Sequence, residues 1–402
     1  MKIMKESYIS KINKGEYCIG CGLCESMFSE HVTVKLGNDG KYQVIEQKEI
    51  TEEMDKLFRE TCPILKYCFS SEIWGEYKSC YFGSSNDTEI RYKASSGGIL
   101  TQALVYLLNK KKVDAVLQIG VDYSNPLENV AYISTAEQEI INNCGSRYAP
   151  AKLLSQLKAI LNQYEKIAIV GKPCDIRALT NYVALYPEYE NNIVFKFSFF
   201  CGGIPSQNAT YRVLDELGVN KESVEKFSYR GNGWPGLTTA SLTDGRRVTM
   251  TYGQSWGKIL GRDIHKYCKF CPDGLGECAD FSCGDAWYSA KNGYPDFEEN
   301  EGRNIVLCRT DKGVHLLEEM LTDGVISMET VSDPNKYLQS IQVGQYFRKT
   351  SLFGKALAMR IKQNYVPIPG MRILWNWRGN RNILKQIKVA LGTLKRMREG
   401  KI

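Results

Sequence analysis

Residues 99–108, ILTQALVYLL, are apolar on nearly every face, which predicts a helix buried on most of its surface. The short runs DAVLQIGVDY and NVAYIST, rich in β-branched and aromatic residues, predict two strands. A helix is expected from about 150 to 163, in APAKLLSQLKAILNQY. KIAIVGKPCDIRAL then reads as a strand, a Gly/Pro loop and a helix start. NIVFKFSFFCGGIPS repeats that grammar, with a helix expected from about 206. Two successive strand–turn–helix units imply a partly parallel α/β sheet, with ligand groups gathered at the carboxyl ends of its strands. After residue 220 the chain turns more β-like: LTTASLTDGRRVTMTY is a hairpin candidate with Asp244-Gly245 at its turn. NIVLCRT and DKGVHLLEEMLTDG form a last strand–helix pair, with Cys308 expected in the core. There is no internal repeat of fixed period.

The length of 402 residues suggests two or three domains at roughly 100–200 residues each. Changes of texture place them at 1–80, 81–344 and 345–402. With 43% hydrophobic and 24% charged residues, the chain has the composition of a globular protein. No apolar run approaches the roughly 18–20 residues of a membrane span. The N-terminal MKIMKESYISKINKGEY lacks the apolar stretch of a secretory signal, so a cytoplasmic location with reduced thiols is expected.

The net charge of +7 is unevenly spread. Residues 345–402 hold fourteen Lys/Arg against one acid, Glu399, so the preceding body is mildly acidic. In that tail Ile383, Leu384, Ile387, Leu391 and Leu394 share one helical face, opposite Lys385, Lys388, Lys395 and Arg396. Three readings stay open: peripheral contact with an anionic membrane surface, on the inner face of the membrane, docking on an acidic partner, or a helix packed on its own domain with solvated lysines. Basic residues confined to one amphipathic helix argue only weakly for nucleic acid, which is not an expected partner.

Fourteen cysteines against three histidines direct the chemistry toward metal or cluster ligation. Cys18, Cys21 and Cys24 form C-x2-C-x2-C, and Cys62 is followed by Pro63. Three thiolates so spaced wrap one face of an iron–sulfur cubane, with Gly20 and Gly22 permitting the tight turn. Phe28 stands where a two-cluster ferredoxin has its next cysteine, so Cys62 is expected to close the same site. A zinc knuckle fits this series poorly. Cys68 is read as a spare thiol.

Cys268 and Cys271 supply half of a second site, for iron or zinc. Cys278 and Cys283 complete it locally, or Cys174 and Cys201 complete it from two strand ends; spacing alone favours neither. Cys80 and Cys144 have no partner at ligand spacing, and His31, His265 and His315 are isolated and given no catalytic role.

The strings CIGCGLC, ASSGGILTQAL, GSRYAPA, VGKPCDIRAL, FFCGGIPS, YRGNGWPG, CKFCPD and ADFSCGDAW occur in an order that covers about residues 15–310. Through them the chain resembles the family of β-subunits of coenzyme F420-reducing hydrogenases and dehydrogenases. That family includes bacterial homologues encoded near polysaccharide genes and the plant 7-hydroxymethyl chlorophyll a reductase. The resemblance implies an α/β (α+β) fold: a ferredoxin-like 4Fe-4S segment, a mixed α/β flavin-binding domain, then a basic helical tail. It implies two 4Fe-4S clusters and FAD, and favours Cys174, Cys201, Cys268 and Cys271 as the second ligand set.

Ser95, Ser96, Gly97 and Gly98 fit either a phosphate cradle or an ordinary helix start, and the resemblance favours the cradle for FAD. Gly145, Ser146, Tyr148 and Lys172 are expected around the same cofactor. Arg230 and Trp234 fit either contact with the flavin ring or a glycine-rich turn anchored by Trp. Asp280 and Asp285 fit helix caps or acceptors for cofactor hydroxyls. The implied function is an iron–sulfur flavoprotein oxidoreductase. It would link a one-electron donor (ferredoxin or a partner subunit) to a small organic substrate or deazaflavin. A non-catalytic electron-transfer subunit and a zinc-stabilised interaction protein are the alternatives.

Overall fold

An eight-stranded mixed sheet organises the computed structural model, which describes residues 6–67, 70, 72–288, 295–362, 365–368, 371–376 and 381–400. Across the sheet the strands run Ile326–Thr330, Ser79–Ser85, Asn304–Cys308, Phe281–Asp285, Ile193–Phe199, Ile167–Gly171, Ala115–Asp122 and Asn125–Ser134. The four from Phe281–Asp285 to Ala115–Asp122 are mutually parallel, and the flanking strands are antiparallel. The mixed α/β class and its parallel centre match the sequence pattern. Asn304–Cys308 is buried at all five positions, and Cys308 sits in the core as expected.

The two strand–turn–helix units form with defined caps. Pro173 opens the helix Pro173–Leu185, where its missing N–H costs nothing, and the Lys172 backbone N–H donates to Asp175 Oδ2 at 3.1 Å. Ser206 caps Gln207–Leu217 by accepting from the Ala209 N–H. Leu237–Leu242 and Arg247–Thr251 form the expected hairpin, and Val224–Ser228 adds a third strand.

The helix expected from about 150 begins only at Leu157. The Leu154 N–H is drawn instead to the Cys21 carbonyl at 2.8 Å, which ties the preceding residues to the first cysteine loop. The basic tail is several helices, including Val343–Thr350, Leu352–Lys362 and Ile383–Arg398. One apolar cluster joins Ile9, Tyr17 and Phe58 with Tyr267, Phe270, Leu352 and Met359, so chain ends far apart in sequence share a core. Among the described residues no helix is long and apolar enough to cross a membrane.

Candidate functional site

The first cysteine loop is shaped by backbone that only glycine adopts easily: Gly20 and Gly22 have φ of 70° and 84°. A Cβ on Gly22 would meet the Ser155 backbone nitrogen at 2.8 Å, so the loop sits close against 154–155. Cys62 enters as the C-cap of the helix Glu52–Thr61. Burial, then the neighbouring thiols Cys21, Cys18 and Cys62, push Cys24 well above its ordinary range. Burial pushes Cys18 up to about 11 and Cys62 up to about 12. The structure therefore gathers Cys18, Cys21, Cys24 and Cys62 within electrostatic reach of one another.

Cys174 follows the Ile167–Gly171 strand, and Cys201 follows Ile193–Phe199. Both meet the Cys268–Cys271 loop. Burial raises Cys174, with added repulsion from Asp175, Cys201 and Cys271. Burial likewise pushes Cys268 to about 12, with Cys201 and Cys271 contributing. The Ile204 N–H points at Cys268 Sγ, 3.4 Å away. Cys283 instead lies buried in the sheet core, where burial and then Cys308 raise it. Cys278 packs against a separate apolar cluster around Ile176 and Leu179. Cys68 lies outside the described residues.

Four thiolates held together repel strongly unless a polycationic core lies between them, so each set suits a metal cluster chemically. Among the described residues no three or more His, Cys, Asp or Glu side chains close to the spacing of a single ion. Asp175 stands between the two sets, within electrostatic reach of both Cys21 and Cys174.

Against the second set opens a cavity of about 550 Å³, at the carboxyl ends of the four parallel strands. That is where open α/β sheets bind ligands, and the size is ordinary for a ligand site. Ser95, Ser96, Gly98 and the first turn of the helix Ile99–Asn109 line one side. Gly145, Ser146 and Tyr148 line another, with the Ser146 N–H donating to Ser95 Oγ at 2.6 Å. Lys172, Cys201 and Arg230 complete the overlap with the expected residues. Lys172 Nζ is 2.7 Å from Asp175 Oδ2 in a nearly buried pair.

Two expected residues stand off the cavity. Gly97 is pressed against the sheet: a Cβ there would lie 2.6 Å from both the Asn304 nitrogen and the Gly83 oxygen. Trp234 stacks on Trp287 at 4.6 Å and 6° between planes, and its Nε1–H donates to Asp285 Oδ1 at 2.7 Å. It anchors the wall behind Arg230. The Arg230 guanidinium lies against both the Tyr252 and Trp287 rings, 4.8 and 5.0 Å from their centroids, and the two rings are themselves 5.8 Å apart. Burial opposes its charge, but Asp285 beside it holds it protonated. Asp280 accepts from the Lys196 N–H at 2.8 Å and the Thr310 hydroxyl at 2.8 Å, a structural tie between two elements. His265 is buried and caps a short turn by accepting from the Tyr267 N–H.

Sequence reasoning missed what the tail contributes. Arg348 donates to the Gly202 carbonyl at 2.7 Å and to the Cys201 carbonyl at 3.3 Å, while Gln345 donates to the Cys201 carbonyl at 2.7 Å. Both line the cavity. Burial raises Cys201, and Arg348 is the main influence opposing it. No spacing rule links positions some 145 residues apart. Asp175 was findable, because Lys-Pro-Cys-Asp at a helix start is a capping pattern.

The cavity's aromatic walls (Tyr148, Tyr252, Trp256, Trp287), its cations (Lys172, Arg230, Arg348) and its helix N-terminus suit an anionic, ring-bearing cofactor such as FAD.

Comparison with known proteins follows the same lines. Two family models of the coenzyme F420 hydrogenase/dehydrogenase beta subunit match the chain, the N-terminal one over residues 80–158 and the C-terminal one over residues 164–334. The coenzyme F420 hydrogenase subunit beta of Methanococcus voltae is 27% identical over 67% of this chain and 90% of its own length. The F420-dependent formate dehydrogenase subunit beta of Methanocaldococcus jannaschii is 25% identical over 73% of this chain and 72% of its own. A chain of the F420-reducing [NiFe] hydrogenase complex from Methanosarcina barkeri has the same fold. It superposes with a TM-score of 0.56 at 21% identity, over 72% of this chain and 95% of that one. With both halves of the family signature matched in sequence order, the chain belongs to the family of coenzyme F420 hydrogenase/dehydrogenase beta subunits.

Proposed function

We propose that this chain is an iron–sulfur flavoprotein oxidoreductase working between a one-electron donor and a two-electron organic substrate or deazaflavin. The observation that carries the reading is contiguity. Cys18, Cys21, Cys24 and Cys62 share one packed cluster with Cys174, Cys268 and Cys271, and Cys201 lies on the wall of the cavity.

In this reading Cys18, Cys21, Cys24 and Cys62 hold one 4Fe-4S cluster in a ferredoxin-like segment, residues 1–80. Cys174, Cys201, Cys268 and Cys271 hold a second, and FAD occupies the cavity of the 81–344 unit. Such clusters exchange electrons singly, and a flavin exchanges them singly or in pairs.

The chain's own residues bind and orient. Lys172, Arg348 and the first turn of Ile99–Asn109 line the cavity and would offer cations and backbone amides to phosphate oxygens there. Ser95 and Ser146 hold each other in place on the cavity wall. Arg230, packed against the Tyr252 and Trp287 rings and fixed by Asp285, would set a permanent positive charge on the cavity wall. The donor would be ferredoxin or a partner subunit, and the setting cytoplasmic.

Anaerobic isolation with metal, sulfide and flavin analysis and EPR tests this directly. The expected result is a brown-yellow protein with about eight irons, as two cubanes require, and one FAD per chain. A colourless preparation holding only zinc would end the proposal. Relatives named as hydrogenase and dehydrogenase subunits favour a second reading, a relay subunit whose chemistry happens on a partner. Flavin-dependent turnover by the isolated chain separates the two.

A further inference from the structure

The C-terminal helix Ile383–Arg398 turns its polar and small residues inward and its aliphatic ones out. Gln386, Ala390 and Thr393 are buried against the helix Leu352–Lys362. The Gln386 side chain accepts from the Gly354 N–H of that helix at 2.8 Å and donates to the Thr350 carbonyl, at the end of Val343–Thr350, at 2.8 Å. A Cβ on Gly354 would sit 2.4 Å from the Gln386 oxygen, so the helices cross backbone to backbone. On the other side Leu384 is 74% exposed, Leu391 61%, Ile383 59% and Ile387 49%.

This is the reverse of what water selects, since packing normally hides Leu and Ile and leaves Gln and Thr wet. At 3.6 residues per turn, Leu384, Ile387 and Leu391 form one stripe, and Lys388 and Lys395 run along its border. Both lysines are exposed, as is Arg398. Lys385, by contrast, reaches inward and donates to the Thr350 hydroxyl at 2.7 Å. The surrounding segment 345–402 carries fourteen Lys/Arg and a single acid.

We propose that this face docks on an anionic lipid bilayer, holding the protein peripherally at a membrane surface. The stripe is aliphatic, whereas protein hot spots favour Trp, Tyr and Arg pockets. The border is cationic apart from Glu399, 4.0 Å from Lys395, and a net cationic border complements a uniformly negative surface; that combination defines an interfacial helix. Among the described residues no helix is built to cross the bilayer, so the contact is superficial. The inference does not depend on the redox reading, because it rests on the tail's exposed face.

The test is co-sedimentation of the full chain with vesicles of phosphatidylcholine alone, or of phosphatidylcholine containing phosphatidylglycerol. Binding is expected to the anionic vesicles, and added salt should weaken it. The Ile387→Ser/Leu391→Ser variant should bind about tenfold more weakly, because it removes two inserted aliphatic chains. Lys388→Gln/Lys395→Gln should also bind more weakly. These side chains are exposed, so circular dichroism should match the wild type. Three results would overturn the proposal. The wild type fails to bind anionic vesicles; the Ser variant binds them undiminished; or sedimentation velocity shows a dimer that the Ser variant dissolves, which makes the face a contact between copies.

Discussion

Arg230 and Asp285 meet through two parallel hydrogen bonds, Nη1 to Oδ2 at 2.9 Å and Nη2 to Oδ1 at 2.7 Å. Asp285 ends the Phe281–Asp285 strand of the large sheet, while Arg230 lies in the glycine-rich loop after Val224–Ser228. The pair therefore fastens the small sheet's loop to the carboxyl end of the large one, at the cavity wall. Bidentate geometry fixes the plane of the guanidinium as well as its position.

Asp285→Asn should leave a buried guanidinium without its counter-charge and cost about 3 kcal/mol in urea unfolding. An Arg230→Met/Asp285→Leu double variant should recover part of that loss, since burying neither charge is better than burying one. A double variant that loses as much stability as the two single variants together would show that the pair is not coupled.

The two cysteine sets should load independently. Cys24→Ser removes a thiol of the first proposed ligand set, whose neighbours are Cys21, Cys18 and Cys62. Cys174→Ser removes one whose neighbours are Cys201 and Cys271. Each variant should retain about half of the wild-type iron, with one cubane signal left in EPR. Cys283→Ser, a change in the sheet core, should leave the iron content intact. Loss of iron from Cys283→Ser would mean the ligand set is local rather than distributed.

Much of this arrangement was legible because local chemistry and topology agreed. The C-x2-C-x2-C series announced a tight loop, and its glycines do take positive φ. KIAIVGKPC and NIVFKFSFFC each placed a cysteine at the end of a parallel strand, where neighbouring strand ends must converge. What periodicity and spacing do not encode is docking between distant segments. Arg348 and Gln345 reach Cys201 only because their helix packs back over the sheet. Gly97 looked like part of a phosphate loop, but its missing side chain is explained by the strand residues beneath it. Trp234 sat beside Arg230 in a promising motif, yet its ring is occupied by Trp287.

Lys355 gives the fold a titration of its own. It is buried, with Nζ donating to the Lys269 carbonyl at 2.9 Å. Burial, then Arg348 and Arg396, pull it down to about 7. In the unfolded chain it titrates near 10.4. Between those values the unfolded state binds more protons, so this residue makes stability rise with pH, by up to about 1.4 kcal/mol per unit. Below about 7 both states are protonated and the full penalty of burying the ammonium applies. Lys355→Met should therefore be more stable than the wild type near pH 6, with an advantage that shrinks toward pH 9–10. Urea unfolding across that range checks it, and a constant difference between the two proteins would refute the assignment.

Gly97→Ala tests how rigid the cavity wall is. The added methyl would meet the Asn304 nitrogen and the Gly83 oxygen, both at 2.6 Å, and these are backbone atoms of two paired strands. Neither can retreat without breaking register, so overpacking should cost about 1–3 kcal/mol. The strain falls on the turn carrying Ser96 and Gly98, so bound flavin per chain should fall as well. Gly344→Ala is the matched control. That glycine lines the cavity, but a Cβ there meets nothing within 4 Å. It should melt like the wild type and keep its flavin. Were Gly97→Ala to behave like Gly344→Ala in thermal unfolding and flavin content, the turn would be adaptable, and steric closeness to the sheet would no longer explain why glycine stands there.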